Sequence, residues 1–360
     1  MAGNLLMLAN VYKPEKHSIG GTFVSEKLDG TRCFWDGGIS RGVDTVNVPW
    51  ANTTDPKTGE RKKKIIPKAT GLWSRYGNPI VAPDWFLNKL PCCPLDGELW
   101  AGRGNFQESR SIVGRETPDE RWRDIQFVVF GAPSPANVFA TRAITGANIK
   151  LSIDAQEISS FIQERREYME NFEGLHAGAT FEEELRFLQT ALGAGDEHVY
   201  MHRQSQLSMD EVVANEQLKR MMGDVLDNEG EGLMIRRPDS LWLPKRSNEL
   251  LKVKRFLDDT AVLTGFTSGR ETNKGSKHRG KIGALITKYK GKRLELSGMT
   301  DVQRLFLTKG MEAHAYDHPG TDMPDEFQGM HFKTGDEIEF RYTELSDDGI
   351  PKVASFVRVL

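Results

Sequence analysis

The chain has 360 residues, a formal net charge of −3 and 38% hydrophobic residues. This composition excludes a disordered or collagenous chain and predicts a soluble globular protein. The length exceeds the usual size of one compact core, so we expect two domains of unequal size. Because the whole molecule lacks a basic excess, any surface that binds nucleic acid must be local.

Cysteine usage and the apolar runs indicate the compartment. Three cysteines without a CxxC pattern predict neither a disulfide framework nor a zinc site, and we expect them to be packing residues in a reducing compartment. The apolar run Leu5–Ala9 is shorter than a signal-peptide core, and no stretch approaches the roughly 20 apolar residues that span a bilayer. We therefore expect a cytoplasmic protein, in the host cytoplasm if a phage encodes it.

Short apolar or alternating runs predict strands in the first 130 residues, at 22–25, 31–35, 95–100 and 125–130. These strands predict a mixed or antiparallel sheet. The polar segment Arg41–Lys68, with consecutive basic residues at 61–64, predicts a long surface loop or an insertion between them.

The middle of the chain is predicted to be more helical. Apolar residues at three- and four-residue spacing predict a helix over 158–172. A second helix is expected from Ser208 to Leu226, because Ser208 and Glu211 have the spacing of a capping box. After Lys254, strands at 261–266, 282–288, 293–296, 337–342 and 354–360 predict a small β-barrel of about 100 residues.

Lys27 lies between two predicted strands, where its amine could act as a nucleophile. An amine attacks phosphorus only when it is deprotonated, so Lys27 would need a depressed pKa from burial or from a cation such as Arg32. Gly30 would allow a nucleotide to approach the backbone closely. Taken alone, a lysine in a turn is more often a solvated surface residue.

Two carboxylates and two further lysines accompany Lys27. Glu98 and Glu231 each follow a glycine at the entrance to an apolar strand, and they could meet to hold Mg²⁺ or a ribose hydroxyl. Strand alternation places Lys252 and Lys254 on one face, where they could neutralise a triphosphate. The alternatives are exposed turns and a solvated strand face.

Four groups of residues follow one another along the chain: Lys27, Glu98, Glu231, and Lys252 with Lys254. In this order they resemble the motifs of the ATP-dependent DNA ligases. The similarity is greatest to small bacterial and bacteriophage members without an additional amino-terminal DNA-binding domain, and it spans nearly the whole chain. The resemblance implies an α+β protein: a nucleotidyltransferase domain at 1–256, with ATP-grasp-like antiparallel sheets and helices, followed by an OB-fold β-barrel at 257–360.

The amino-terminal motifs resemble those of the family residue by residue. The segment Lys27–Arg32 looks like the K-x-D-G-x-R motif, which implies that Lys27 carries AMP, that Asp29 belongs to the catalytic set and that Arg32 helps to hold the nick. The resemblance also counts Glu26 among the nucleotide-binding residues. The segment Ser74–Asn78 resembles the next motif and implies that Arg75 contacts the nucleotide or the 5′-phosphate. A rival match lies at Ser40–Gly42.

The later motifs complete the implied site. Glu98 would bind the ribose or the metal, and Phe130 would stack on adenine, although Gly131 stands where many relatives have Asp. Glu231 would bind the metal. The same motif could also be aligned two residues earlier, which would place Glu229 in that role. The remaining implied contacts are Lys252 and Lys254 to the ATP phosphates, and Lys352 (in place of a usual arginine) and Arg358 to pyrophosphate.

The expected partner is nicked double-stranded DNA, and we expect a monomer. The resemblance implies DNA contacts from Arg32, Arg75 and Arg246. The segment 269–281 predicts a flexible cationic loop on the barrel, with a charged solubility loop as the alternative. Its basic residues are Arg270, Lys274, Lys277, Arg279 and Lys281. The basic run at 61–64 could act as a second clamp on the duplex.

The implied reaction seals a nick with ATP and Mg²⁺ as cofactors. Lys27 would attack the α-phosphate of ATP, AMP would pass to the 5′-phosphate, and the 3′-hydroxyl would displace it. An RNA ligase or a capping-type guanylyltransferase remains an alternative, because these enzymes share the lysine motif. A non-catalytic nick-binding or nucleotide-sensing module is a further alternative, of a different class.

Overall fold

The computed structural model describes residues 5–360 except 54, 56–57, 59, 61–65, 135–137, 139–154, 167–173, 177, 255–256, 270–280, 306–307, 309–333, 347 and 353. The basic run at 61–64 lies outside the described residues. So do four of the predicted DNA contacts: Arg270, Lys274, Lys277 and Arg279. The chain divides into two compact units, Met1–Lys254 and Arg255–Leu360.

Two five-stranded sheets form the first unit. In spatial order, the first contains β1 (Leu8–Val11), β10 (Arg246–Lys254), β9 (Gly232–Arg236), β2 (Phe23–Glu26) and β8 (Ser205–Gln206). The second contains β4 (Leu72–Ser74), β3 (Thr31–Asp36), β5 (Pro94–Trp100), β6 (Gln126–Gly131) and β7 (Val199–Met201). The pairs β1–β10 and β6–β7 are parallel and the other pairs are antiparallel, so both sheets are mixed.

Five α-helices are described in this unit: α1 (Asp84–Leu87), α2 (Phe106–Val113), α3 (Ala155–Arg166), α4 (Phe181–Leu192) and α5 (Glu211–Asp227). Short 3₁₀ helices lie at Thr45–Asn47 and Glu120–Asp124. The helix predicted at 158–172 corresponds to α3, and its predicted last residues lie outside the described part. No helix in the described ranges is long and apolar enough to cross a membrane.

Helix α5 begins later than its sequence predicts. Asp210 is the N-cap, and its carboxylate accepts hydrogen bonds from the backbone N–H groups of Val212 and Val213 at 2.9 and 3.0 Å. The capping box predicted at Ser208 is therefore wrong. The Glu211 carboxylate instead accepts from the backbone N–H groups of Ile19 and Gly20, both within 3.0 Å. A contact with a segment 191 residues away overrides the local capping pattern.

The described part of segment 41–68 consists mainly of turns, bends and one short 3₁₀ helix, but it does not lie wholly on the surface as its polar composition predicts. Val48 and Trp50 are buried in a core cluster of the first unit. The ring of Trp50 packs edge-on against Trp73 at 6.2 Å and against Phe161 of α3 at 5.4 Å between centroids. Burial of large aromatic surface stabilises this segment against the core. Of the cysteines, Cys33 and Cys93 are buried as expected, but Cys92 is exposed.

The second unit is built on a five-stranded antiparallel sheet. Its strands in spatial order are β13 (Lys292–Leu296), β12 (Ile282–Tyr289), β11 (Leu257–Ser268), β14 (Glu337–Tyr342) and β17 (Ser355–Val359). A two-stranded ribbon pairs β15 (Glu344–Leu345) with β16 (Pro351–Lys352). Alternating residues of the large sheet form an apolar core that includes Leu285, Ile338 and Phe340.

Closure of the predicted barrel is incomplete in the described part of the second unit. The segments flanking the edge strands β13 and β17 meet at a parallel bridge between Ser297 and Ser355, where the backbone N–H of Phe356 donates to the Ser297 carbonyl at 2.8 Å. No longer ladder joins these two edges among the described residues. Alternation predicts each strand, whereas closure depends on the register between strands distant in the chain.

Candidate active site

Lys27 follows strand β2 and lies against the start of β9. Its backbone N–H donates to the Gly232 carbonyl at 2.8 Å, and its ammonium group is hydrogen-bonded to the Glu231 carboxylate. The other carboxylate oxygen of Glu231 accepts from Lys254 Nζ at 2.6 Å. Burial favours a raised pKa for Glu231, but the charges of Lys27 and Lys254 outweigh it and lower that pKa. An ionised carboxylate therefore links two lysines.

Strand register explains this meeting. Glu26 on β2 pairs with Leu233 on β9, and Gly232 on β9 pairs with Lys254 on β10, so Lys27, Glu231 and Lys254 lie at one end of the sheet. Gly232 has a φ of 151°, and a Cβ there would lie 2.3 Å from the Val253 carbonyl oxygen. Only glycine fits this close approach. Of the two competing frames, the structure brings Glu231 to Lys27 and leaves Glu229 exposed in a turn.

Lys252 lies two residues before Lys254 on β10, on the same face of the strand. Burial lowers the pKa of the Lys252 ammonium, and the nearby charges of Lys254 and Arg246 lower it further. These cations lie close enough to repel one another. A polyanionic ligand placed among them would relieve that repulsion.

Arg32 and Asp96 form an ion pair that the sequence interpretation did not include. Arg32 Nε and Nη2 each donate to one Asp96 carboxylate oxygen at 2.7 Å. Trp242 Nε1 donates to Asp96 at 2.8 Å, and Asp96 is only 1% exposed. The Arg32 guanidinium lies over the Phe130 ring, 4.5 Å from its centroid. Alternation along β5 gave a signal for Asp96, because it shares a strand face with Glu98.

Glu98 stands opposite Arg32 in the β3–β5 register. Burial raises the pKa of Glu98 to about 7, although the charges of Arg32 and Lys27 act in the opposite direction. The Glu231 charge also raises this pKa, so the two carboxylates and Lys27 share one electrostatic environment. A Cβ on Gly30 would lie 2.9 Å from Glu98 Cγ, so glycine allows the turn after Lys27 to approach β5.

A cavity of about 820 Å³ lies beside these groups within the first unit. Its size falls in the range of small-molecule sites. The predicted site residues that line it are Glu26, Lys27, Asp29, Arg32, Arg75, Glu98, Phe130, Arg246 and Lys252. Sequence reasoning missed other lining residues, among them Asp96, Phe106, Arg110, Arg115, Gln204 and Trp242. Glu231 and Lys254 reach the site through their bonds to Lys27 and to each other.

Three predicted contacts are already engaged by other groups. The Glu26 carboxylate, predicted to bind nucleotide, accepts a two-pronged hydrogen bond from Arg103 at 2.8 and 2.7 Å. Arg75 stacks on Tyr76 at 4.5 Å, and Arg246 donates to the Ala9 carbonyl. Arg75 and Arg246 both line the cavity.

The rival motif at Ser40–Gly42 lies elsewhere. Arg41 forms an ion pair with Asp84 at 2.6 Å and donates to Asn88 at 2.8 Å. Ser40 is buried against Asp36. The structure therefore brings Arg75, and not Arg41, to the cavity.

The remaining predicted contacts lie in the second unit. Lys281 immediately precedes β12, and its carbonyl accepts from the Gly269 N–H at 2.8 Å, which closes the base of the predicted cationic loop. Lys352 lies in β16, where it pairs with Glu344. Arg358 lies in β17 and forms an ion pair with Glu339.

The described residues were searched for side chains that could hold a metal ion. No group of three or more His, Cys, Asp or Glu residues that could hold an ion is found there. Mg²⁺ usually takes one or two protein carboxylates and completes its shell with water and substrate phosphates. Glu98 and Glu231, both near Lys27, fit that donor chemistry if a nucleotide supplies the other oxygens.

The fold and the site together define a class of protein. Two mixed sheets carry a lysine, two carboxylates, paired lysines and an aromatic ring beside one nucleotide-sized cavity, and a separate small β unit follows. This is the architecture of a nucleotidyltransferase domain followed by an OB-like domain.

Comparisons with known proteins agree with that class. Residues 274–359 match the family model described as the DNA ligase OB-like domain. A DNA ligase of Haemophilus influenzae is 21% identical over 270 residues, covering 75% of this chain and 70% of the relative. A solved structure from a structure-function study of Lig E DNA ligases, described as binding DNA with a minimal scaffold, is 25% identical with a TM-score of 0.60, and the match covers 100% of both chains.

A further structure, named Pmar-Lig_Pre, supports the fold alone. It is 17% identical with a TM-score of 0.59, over 98% of this chain and 67% of the other. The resemblance to DNA ligases drawn from the motifs is thus matched by the family model, by the Haemophilus influenzae relative and by the Lig E structure.

Proposed function

We propose that this protein is an ATP-dependent DNA ligase that seals 5′-phosphate/3′-hydroxyl nicks in duplex DNA through AMP attached to Lys27. The observation that carries the proposal is the bonding of Lys27 to Glu231, which also binds Lys254, at the edge of a cavity of about 820 Å³. Similarity to a DNA ligase of Haemophilus influenzae and to the Lig E structure supports the same activity. Domain assignments follow: the first unit transfers the nucleotide and the second is the OB domain.

In the first step, Lys27 Nζ forms a bond to the α-phosphorus of ATP while the bond to the pyrophosphate oxygen breaks. The amine must first lose a proton, and the Glu231 carboxylate is the group in contact with it. Lys252 and Lys254 neutralise charge that develops on the phosphates. Phe130 stacks on adenine, and Arg32 lies over one face of the same ring.

In the second step, an oxygen of the 5′-phosphate attacks the phosphorus of the lysyl-AMP and releases the Lys27 amine. In the third, the 3′-hydroxyl attacks the 5′-phosphorus, and AMP leaves as the phosphodiester bond forms. Arg32 and Arg75, which both line the cavity, hold the nicked strand. Catalysis in all three steps consists of positioning and charge stabilisation.

Mg²⁺ would be held by Glu98 and Glu231 together with phosphate oxygens of the nucleotide, and when bound it would offset negative charge on the transferred phosphoryl group. Asp29 lines the same cavity and orients the nucleotide at the turn after Lys27. The two carboxylates also set the charge around the lysine amine, as their pKa shifts indicate.

The DNA partner is a nicked duplex bound mainly through its phosphates, with little sequence preference. Arg75 and Arg246 at the cavity and Lys281 in the second unit supply part of the positive charge. The other loop residues named above would supply the rest. Lys352 and Arg358 orient pyrophosphate in the first step. The protein acts as a monomer in the cytoplasm.

Nucleotide and nucleic-acid specificity are tested together by incubating the full chain with labelled ATP or labelled GTP. The charged protein is then given a duplex nicked in a DNA strand or in an RNA strand. We expect label from ATP alone and discharge by nicked DNA. Label from GTP would favour a capping-type enzyme, discharge by nicked RNA alone would favour an RNA ligase, and no label would favour a binding module.

A further inference from the structure

Glu26, the residue before the proposed nucleophile, is held from three sides. Arg103 binds its carboxylate with two hydrogen bonds of 2.8 and 2.7 Å. Its backbone carbonyl oxygen is 2.8 Å from His202 Nε2, and its backbone pairs with Leu233 of β9. Only the last of these three partners is the ordinary strand pairing of a residue in β2. The held atoms lie on the chain segment that carries Lys27.

His202 connects the two sheets of the first unit at this place. It follows β7, and its backbone N–H donates to Val129 of β6 at 2.6 Å, so its main chain belongs with the second sheet. Its side chain reaches Glu26 at the end of β2, in the first sheet. Because a carbonyl oxygen only accepts, Nε2 of His202 must carry the hydrogen. Burial lowers the pKa of His202, which keeps the ring neutral.

The peptide group between Glu26 and Lys27 is therefore fixed at both of its polar atoms. Its oxygen accepts from His202, and its N–H donates to the Gly232 carbonyl at 2.8 Å. A peptide group is planar, so two hydrogen bonds to opposite edges set its orientation. The plane fixes the position of the Lys27 Cα atom, from which rotation about the N–Cα bond sets the direction of the side chain.

We infer that His202, assisted by the Arg103–Glu26 pair, is a positioning residue for Lys27: it locks the peptide plane that aims the lysine amine into the cavity. The inference rests on the proposed function, because it needs Lys27 to react. Attack on a phosphorus atom requires the amine to lie close to the line of the leaving oxygen. A displacement of about 1 Å can cost about 100-fold in rate.

Only the steps in which Lys27 reacts depend on this orientation. Lys27 attacks ATP in the first step and is displaced in the second. In the third step, the 3′-hydroxyl attacks a 5′-phosphate that already carries AMP, and Lys27 forms no bond. Loss of a positioning residue should therefore slow the first two steps and leave the rate of the third unchanged. A general loss of stability would slow all three steps.

The test compares His202→Leu with His202→Gln in the full-length protein. Single-turnover formation of lysyl-AMP from ATP and sealing of a nick prepared with AMP already on its 5′-phosphate are measured separately. For His202→Leu we expect lysyl-AMP formation to fall by about 100-fold, with unchanged ATP affinity and with sealing of the prepared nick within about twofold of the original chain. His202→Gln keeps an N–H donor near Nε2 and should restore most of the rate.

His198→Leu is the matched control. His198 is also buried in the first unit, and its Nδ1 lies 3.2 Å from the Ile125 carbonyl, away from Lys27. Its loss should lower the melting temperature without separating the two rates. The inference is overturned if His202→Leu charges at the original rate, if it slows both reactions equally, or if His202→Gln is as slow as His202→Leu.

Arg103→Met provides a second test of the positioning role if His202→Leu does not fold. Arg103 has 37% of its side chain exposed, so its substitution leaves the core intact. We expect about a tenfold slower first step and unchanged sealing of the prepared nick. An original rate in this variant overturns the inference. If the unaltered chain forms no lysyl-AMP, the proposed function itself fails, which is a different result from charging that does not depend on His202.

Discussion

Asp96 holds together the buried side of the site through contacts with residues that are distant in the sequence, which the sequence around Asp96 does not predict. Its carboxylate receives two bonds from Arg32 and one from Trp242, 146 residues away. A nearly buried charge must be paired to be tolerated, and here the pair also holds Arg32 over Phe130. Asp96 therefore links stability to the adenine-stacking ring that we propose.

Asp96→Asn should destabilise the protein by about 2 kcal/mol, because it leaves the half-buried Arg32 cation without its buried counter-charge. Urea unfolding followed by circular dichroism measures the difference. Asp239→Asn is the matched control, since Asp239 pairs with Arg237 at 2.8 Å but its side chain is 65% exposed. That variant should lose less than about 1 kcal/mol. Equal losses in both variants would contradict the importance given to burial.

Asp36 is a second buried carboxylate, with its own pH dependence. Burial raises its pKa from 3.8 to about 6, although bonds from Ser40, Trp73 and Gly38 partly oppose the shift. Between these two pH values the folded protein binds the proton more tightly than the unfolded chain. The stability contributed by protonated Asp36 is therefore present at low pH and is lost as the pH rises through about 6.

Asp36→Asn should remove that dependence. The free energy of unfolding, measured in urea from pH 4.5 to 7.5, should decline with pH in the original chain by about 2 kcal/mol more than in the variant. Asp84→Asn, at a side chain that is 85% exposed, should keep the original slope. Parallel curves for Asp36→Asn and the original chain would show that Asp36 does not titrate in this range.

Motif residues and supporting residues differ in how far the sequence predicts them. Lys27, Glu98 and Glu231 stand in short motifs with strand spacing on either side. In the structure Lys27 and Glu98 line one cavity, and Glu231 is bonded to Lys27. His202 and Arg103 stand in no such motif, because their partner is a residue at least 77 positions away. Their roles depend on strand register, which one sequence without structure does not fix. The catalytic roles themselves stay predictions.

Helix α5 shows how a distant contact changes an element boundary. The local pattern favoured Ser208 as the cap, whereas Asp210 bonds to the first turn. Asp210→Ala should therefore cost about 1 kcal/mol of unfolding free energy, and Ser208→Ala should cost less than about 0.5 kcal/mol. Thermal or urea unfolding of the two variants gives the comparison. A larger loss in Ser208→Ala would restore the helix start that the sequence predicts.

Strands were the most predictable elements. Alternation gave β3, β5, β6, β12 and β14 to within about two residues, which is the usual uncertainty of element ends. The predicted surface position of segment 41–68 fails at Val48 and Trp50. The segment is mostly polar, and the burial of these two residues depends on contacts with Trp73 and α3 that its composition does not indicate. The sequence predicts a β-barrel in the second unit, but it does not show whether the two edge strands pair, because neither strand alone carries a pattern for that pairing.

Across the whole chain, charge is arranged locally and not globally. The chain has a net charge of −3, but basic side chains outnumber acidic ones around the cavity. The basic lining residues are Lys27, Arg32, Arg75, Arg110, Arg115, Arg246 and Lys252, and the acidic ones are Glu26, Asp29, Asp96 and Glu98. Phosphate-rich ligands are attracted by such a local concentration of cations even when the molecule as a whole is slightly acidic. This distribution suits both a nucleotide and a nucleic-acid backbone at one site.

The central claim is that Lys27 becomes covalently adenylylated and passes AMP to nicked DNA. Intact-mass spectrometry of the full chain after incubation with ATP and Mg²⁺ tests it, with Lys27→Ala compared with the exposed-lysine control Lys288→Ala. The account predicts a gain of one AMP on the original chain and on the control, none on Lys27→Ala, and loss of the added mass after nicked duplex DNA is supplied. An original chain that gains no AMP, or a Lys27→Ala variant that still gains it, would contradict the account.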